Sequence, residues 1–344
     1  MEGGKASGGA EGRASPTVVG VFVVAAVIAT AATCIAVRGR RPSAPPSPSA
    51  RIAGQVRVVA TGSDDGRKPF AAARPSSGAS AAVDVVCGLD SRTAGRYASR
   101  IGAFRSIAGR RDLPPEDVSV LLGYVASTND AMSAELVAGL KNEVLNLLRN
   151  QDPVPERLAG LMMDMVDSGD YDATTVDYCI QHLGAMWRDF ATEGMRERAR
   201  NVFVSAASCK GRPYAGTALY SLADEKDAPA EYREKLRRLT VAIACDPAAN
   251  RLARISAMQL AARKGYAEVL KSARKTIAEP RPDAVLAMVS VGAIGSLGCA
   301  ADIPALECLR ESGGRRLEPA IDAALAKLGG GKMRFQQEKQ RKGL

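Results

Sequence analysis

Three short segments near the C-terminal end of the chain share one pattern, an Ala- and Leu-rich stretch that ends on glycine. They read SAMQLAARKG, SVGAIGSLG and DAALAKLG, and their final residues, Gly265, Gly298 and Gly329, lie 33 and 31 residues apart. A polar-led helical segment follows each of the first two, YAEVLKSARKTIAE and ADIPALECLRES. A single helix pair cannot bury its own apolar face, so a chain of such pairs stacks them side by side. The spacing therefore predicts an α-solenoid.

Helical periodicity continues back from these repeats to about residue 83, and no alternating strand pattern interrupts it. Aromatic residues make up only 4% of the chain, whereas sheets favour aromatic and β-branched side chains. We therefore expect an all-α body of antiparallel helix pairs over residues 83–328. The clearest predicted core residues are Val118, Leu121, Leu122 and Val125, and then Leu136, Leu140, Val144, Leu147 and Leu148.

The segment AVLAMVSVGAIGSLGCAADIPALECLRESGGRRLEPAIDAALAKLGG resembles HEAT repeats, the armadillo-type superhelix. A small-residue helix ends on Leu-Gly, a short turn follows, and the next helix begins near Ile-Pro-Ala-Leu. The resemblance covers about residues 250–330 and is looser over 90–249. TPR repeats are the nearest alternative, but their Trp, Gly, Tyr and Pro signature is missing, and the only tryptophan is Trp187. The resemblance implies a superhelical scaffold with an extended binding face, and it implies no chemistry.

A run of twenty-one uncharged residues, Thr17 to Val37, lies near the N-terminus. At about 1.5 Å per residue this run is roughly 30 Å long as a helix, which matches the hydrocarbon core of a bilayer. We predict a single transmembrane helix at 17–37. A cleaved signal peptide is the alternative, although its apolar region is usually shorter. A lipoprotein signal fits less well, because Thr33 precedes Cys34.

The segments on either side of the predicted anchor are expected to be disordered. Residues 1–16 form a short tail, and residues 38–82 form a linker rich in Pro, Ser, Gly and Ala that buries too little apolar surface to fold. The positive-inside rule favours a cytoplasmic body, since five arginines and no acid follow the helix before residue 58. An exported body stays open as the alternative, and its cysteines could then form disulfides.

The net charge of +10 comes from the ends of the chain. Residues 83–328 hold 32 basic and 32 acidic residues, whereas the tail 329–344 holds five basic residues and one acid. A nucleic-acid-binding body needs a basic surface, so this distribution argues against one. The disordered basic tail and the arginines after the anchor could instead contact anionic lipid.

The cysteines, the histidine and the glycine-rich segment are explained better by structural roles than by catalysis or ligand binding. Cys299 and Cys308 are nine residues apart with no CxxC motif or nearby histidine, and we predict that both are small packing residues. Cys179 and His182 could touch on one helix, but nothing else supports a nucleophile and base pair. GAIGSLG lacks both the preceding strand and the following lysine of a phosphate-binding loop.

Five carboxylates cluster between Met163 and Tyr178, a pattern that raises the question of calcium binding. No alignment of this segment with the EF-hand loop places both the required glycine and the final glutamate. Helix capping by Asp172 or Thr174 is therefore the better interpretation. The five are Asp164, Asp167, Asp170, Asp172 and Asp177.

We therefore expect a membrane-anchored scaffold that is not an enzyme, has no metal or cofactor, and binds an unidentified protein or peptide along its superhelical face. The alternative is an accessory or regulatory solenoid whose basic ends bind anionic membrane or nucleic acid. The sequence identifies no residue of the binding surface and does not determine the oligomeric state.

Overall fold

The computed structural model describes residues 78–225, 228–312 and 316–329, all within the compact unit Phe70–Leu344. These residues form α-helices and short 3-10 helices, with no β-strand among them. In chain order the described α-helices are α1 (Gly78–Val86), α2 (Tyr97–Ile107), α3 (Pro115–Ala126), α4 (Ala134–Arg149), α5 (Arg157–Ser168), α6 (Ala173–Met186), α7 (Glu193–Ser208), α8 (Ala215–Ala223), α9 (Ala230–Cys245), α10 (Arg251–Lys264), α11 (Leu270–Ile277), α12 (Ala284–Leu297), α13 (Ile303–Ser312) and α14 (Glu318–Lys327). The 3-10 helices are Trp187–Asp189, Ala267–Val269 and Ala300–Asp302.

The helices form seven pairs, from α1 with α2 to α13 with α14, and the two helices of each pair pack together. Each even-numbered helix also packs against the next even-numbered helix, in an unbroken row from α2 to α14. Consecutive odd-numbered helices also contact each other from α1 to α9. The described residues are therefore an all-α repeat of helix pairs in two layers, with one continuous apolar core between them. The predicted all-helical repeat is confirmed at this level.

The three glycines that revealed the repeat end their helices in two different ways. Gly265 and Gly329 have φ of 81° and 84°, the left-handed conformation that glycine adopts without strain. Gly298 has φ of −79°, so its conformation does not require glycine. It is restricted by space, because a Cβ there would lie 2.5 Å from an Asp302 carboxylate oxygen. That carboxylate accepts hydrogen bonds from the Cys299 amide at 3.0 Å and from the Arg274 guanidinium at 2.7 and 3.0 Å.

The start of the helical body and part of the predicted core differ from expectation. Helix α1 begins at Gly78, so residues 78–82, which we assigned to the linker, are helical. Leu136 is 40% exposed, because it lies in the first turn of α4 and the buried stripe of that helix begins at Ala138. Val118 and Leu122 are half-buried. The remaining predicted core residues of α3 and α4 are buried, namely Leu121, Val125, Leu140, Val144, Leu147 and Leu148.

Several predicted segments lie outside the described residues. They are the N-terminal tail 1–16, the transmembrane helix 17–37, the linker up to residue 77, and the basic tail after Gly329. In the part of the chain that the structure does describe, no helix combines the length and the apolar character needed to cross a membrane.

Candidate functional site

Small residues allow the even-numbered helices to approach each other closely. A Cβ built on Gly216 of α8 would lie 2.6 Å from the Ser256 Cβ of α10, and one on Gly295 of α12 would lie 2.6 Å from the Ala324 Cα of α14. The most extensive contacts between non-consecutive helices are also in this layer. The even-numbered helices therefore form the more closely packed layer. We therefore take the solvent-facing side of the even-numbered helices, called the even face below, as the candidate binding surface.

Polar side chains link consecutive even-numbered helices at four places between α4 and α14. In the link between α10 and α12, the Arg251 guanidinium donates to both carboxylate oxygens of Asp283 at 2.6 and 3.0 Å. Exposed pairs of this kind stabilise a fold by only about 0–1 kcal/mol each, so the contribution of these links is mainly to fix helix register. The other links are His182 with Asn142, Tyr220 with Gln259, and Lys327 with Ser296.

A groove of about 450 Å³ opens on the even face between α2, α4 and α6. Its deepest lining is apolar, because Phe104 is buried and Ile101 is half-buried. Gly139 keeps it open, since a Cβ at this position would meet no atom within 4 Å. The side chains of two tyrosines, one asparagine, one glutamate and one arginine complete the lining. They are Tyr97, Tyr178, Asn142, Glu143 and Arg105.

The only histidine of the chain holds one of these groove residues in place. His182 is buried in α6, and its Nε2 lies 3.0 Å from the Asn142 Oδ1. Burial and, secondarily, the charge of Arg149 lower the pKa of His182 to about 4, so the ring is neutral near pH 7. A neutral ring nitrogen that contacts an amide oxygen must carry the proton. Asn142 therefore accepts from His182, and its amide hydrogens are left to face other partners.

Cys179 and His182 do not form a nucleophile and base pair. Cys179 is fully buried, and burial raises the pKa of its thiol to about 12, so the thiol stays protonated. The Nε2 of the histidine ring contacts Asn142, and its buried Nδ1 has no hydrogen-bond partner among the described residues. This pair thus lacks both the thiolate and the contact that nucleophilic catalysis requires.

The acidic cluster serves helix capping and ion pairing. Asp172 caps α6, because its carboxylate accepts from the backbone N–H groups of Thr174 and Thr175 at 2.9 and 3.0 Å, and the predicted capping role is confirmed there. Asp164 pairs with Arg198 of α7 at 2.5 Å. Among the described residues, no three His, Cys, Asp or Glu side chains are grouped closely enough to hold a metal ion.

The cysteines are more exposed than we predicted. Cys299 and Cys308 are both exposed, so the prediction that they are buried packing residues is wrong. Cys308 lies between the buried positions Leu306 and Leu309 of α13 and therefore points to the solvent side of that helix. Cys299 lies in the loop before a 3-10 helix, and loops run over protein surfaces. Cys209 and Cys245 are exposed as well, and all six cysteines that the structure describes are free thiols.

Comparison with known proteins places the chain in no named family. No protein-family model matches it, and no curated protein matches it. Two solved structures are similar. The crystal structure of YibA from Escherichia coli is 14% identical with a TM-score of 0.39, and the match covers 75% of this chain and 99% of YibA. Human deoxyhypusine hydroxylase in complex with glycerol is 11% identical with a TM-score of 0.29, covering 73% and 96%.

These TM-scores are too low to carry an argument, so the repeat of helix pairs rests on the packing of the helices themselves. One expectation is nevertheless corrected. We excluded an enzyme because a helical repeat without a catalytic constellation implied no chemistry, yet one of the two similar structures is an enzyme. We withdraw that exclusion. The similarity assigns no activity to this chain.

Proposed function

We propose that the chain is a membrane-anchored HEAT-type solenoid that binds an extended segment of a partner protein along its even face. The observation that carries this proposal is the continuous even layer with an open groove between α2, α4 and α6. Tyrosines and amide side chains on that face suit protein recognition, since they combine large contact area with adaptable hydrogen bonding. The HEAT assignment rests on the sequence resemblance over 250–330 together with the paired layers.

The anchoring part of the proposal rests on residues 17–37. We expect the full chain to fractionate with membranes and to resist extraction by alkaline carbonate, and a chain lacking residues 1–37 to lose both properties. Recovery of the full chain in the supernatant would contradict the anchor. Protease treatment of intact cells, read out at the C-terminus, would determine which side of the membrane the body occupies.

The binding part can be tested with a displayed library of random peptides selected on the full chain. We expect Gly139→Leu to abolish binding of the selected peptides, because its side chain would occupy the groove. Gly292→Leu is the matched control, since Gly292 also lies on an even-numbered helix and a Cβ there meets no atom within 4 Å. Selected peptides that bind both variants equally, or a failure to select any peptide, would contradict recognition at this groove.

The alternative function, binding of anionic membrane or nucleic acid by the basic ends, predicts a different result. Anionic liposomes or DNA would bind the full chain, and binding would disappear when residues 329–344 and the arginines after the anchor are removed. Gly139→Leu would leave that binding unchanged.

A further inference from the structure

Four of the eight tyrosines of the chain have a Lys or Arg side chain over the ring. Arg263 lies 4.9 Å from the ring centroid of Tyr220, on the even face itself. Elsewhere Arg100 lies 5.0 Å from the ring of Tyr124. Tyr171 and Tyr232 are covered in the same way by lysine or arginine. A cation over an aromatic face is attracted by the ring's negative quadrupole, so these contacts are a recurring feature of the molecule.

The two tyrosines that line the groove differ from these four. Within the described residues no Lys or Arg lies over the ring of Tyr97 or Tyr178, although both rings are only half-buried. The groove carboxylate Glu143 likewise forms no ion pair with any described residue. The groove thus presents aromatic faces and a carboxylate that the chain's own cations do not cover.

Carboxylates lie near Tyr178, the groove residue of α6. The pKa of Tyr178 is raised by burial and then by the neighbouring charges of Asp177, Glu143 and Asp172. Carboxylates that disfavour a tyrosinate anion favour a cation at the same place. Arg105, the basic residue of the groove, lies on α2, so α4 separates it from Tyr178. The groove therefore carries a basic side chain on α2 and an acidic one, Glu143, on the neighbouring helix α4.

We propose that the groove takes a lysine or arginine side chain of the bound segment, with its cationic group against Tyr178 and Glu143. This inference rests on the proposed function, because it specifies the partner residue that enters the groove. The side chain's methylene groups would cover Ile101 and Phe104, as long basic side chains commonly cover apolar surface. Arg105, on α2, would then face carbonyl or carboxylate groups of the same segment.

The test uses the full chain and the peptides selected from the random library. We expect the peptides whose binding is abolished by Gly139→Leu to be enriched in Lys or Arg at one position. Glu143→Gln removes the charge and preserves size and helix propensity. It should lower the affinity for those peptides by about tenfold or more. Glu135→Gln, in the first turn of the same helix and outside the groove lining, is the matched control and should leave affinity unchanged.

A peptide in which norleucine replaces the enriched basic residue completes a double-mutant cycle. It should bind wild type and Glu143→Gln with equal affinity, because the paired charge is already missing. Peptides that need an open groove but carry no basic residue, or that respond to Arg105→Gln and not to Glu143→Gln, would overturn this inference and leave the proposed function intact. A failure to select any groove-dependent peptide would overturn the proposed function.

Discussion

At the scale of single residues, the contribution of His182 to stability can be measured through its pH dependence. His182 is the only histidine of the chain, so no second histidine contributes to the same change. Burial lowers its pKa from 6.5 in the unfolded chain to about 4 in the folded chain. Between these values only the unfolded chain binds the proton, so the free energy of unfolding falls as the pH drops through this range. We expect a loss of about 2 kcal/mol from pH 7 to pH 5.

Urea unfolding followed by circular dichroism at the two pH values measures this loss. His182→Gln cannot titrate, so it should remove the decrease. The raised pKa of the Asp177 carboxyl acts in the opposite direction, since a folded state that binds its proton more tightly gains stability on acidification, and it is common to both proteins. An equal loss in the variant and the wild type would contradict the assignment to His182.

The thiols make a second prediction at the residue scale. We expect an alkylating reagent to modify the exposed Cys209, Cys245, Cys299 and Cys308 in the folded protein. Cys179 should react only after denaturation, because burial keeps its thiol inaccessible and raises its pKa to about 12. Peptide mass spectrometry of protein labelled before and after denaturation distinguishes the two groups. Rapid native labelling of Cys179 would contradict the described packing of α6.

At the scale of helices, two glycines of α12 should respond to alanine with opposite sign. Gly295→Ala places a Cβ 2.6 Å from the Ala324 Cα of α14, and overpacking of this kind costs about 1–3 kcal/mol. Gly292→Ala meets no atom within 4 Å, so the better helix propensity of alanine should stabilise the fold by about 0.5–1 kcal/mol. The difference in urea midpoint between the two variants tests the close approach of α12 and α14, and equal stabilisation would refute it.

At the scale of the whole molecule, each described helix pair makes its extensive contacts with the neighbouring pairs, so stability is local. The disturbance caused by Gly295→Ala should therefore stay near the C-terminal pairs. We expect hydrogen exchange, measured by mass spectrometry, to accelerate in α11 to α14 and to remain unchanged in α1 to α4. Uniform acceleration of exchange along all helices would contradict this prediction. It would indicate that the helices unfold as a single cooperative unit.

Helix existence could be read from the sequence because apolar residues recur at one-face spacing, as they do in α3, in α4 and in α10 to α14. The first two helices were not recognised separately. Helix α2 has an apolar face too short to stand out, with only Arg100, Phe104 and Ile107 buried, and one of these is an arginine. Periodicity also assigned Leu136 to the core, since spacing gives the face of a helix but not where that face meets a neighbour.

By itself the sequence determined that this chain is an all-helical repeat with balanced charge over its body, because helix period, glycine stops and composition are local properties. The groove depended on the tertiary structure. Tyr97, Glu143 and Tyr178 lie on three different helices, and no spacing along the chain relates them. They come together only when α2, α4 and α6 stack in one layer. The position of His182 behind Asn142 depended on the same stacking, since a hydrogen bond between two helices has no counterpart in the periodicity of either one.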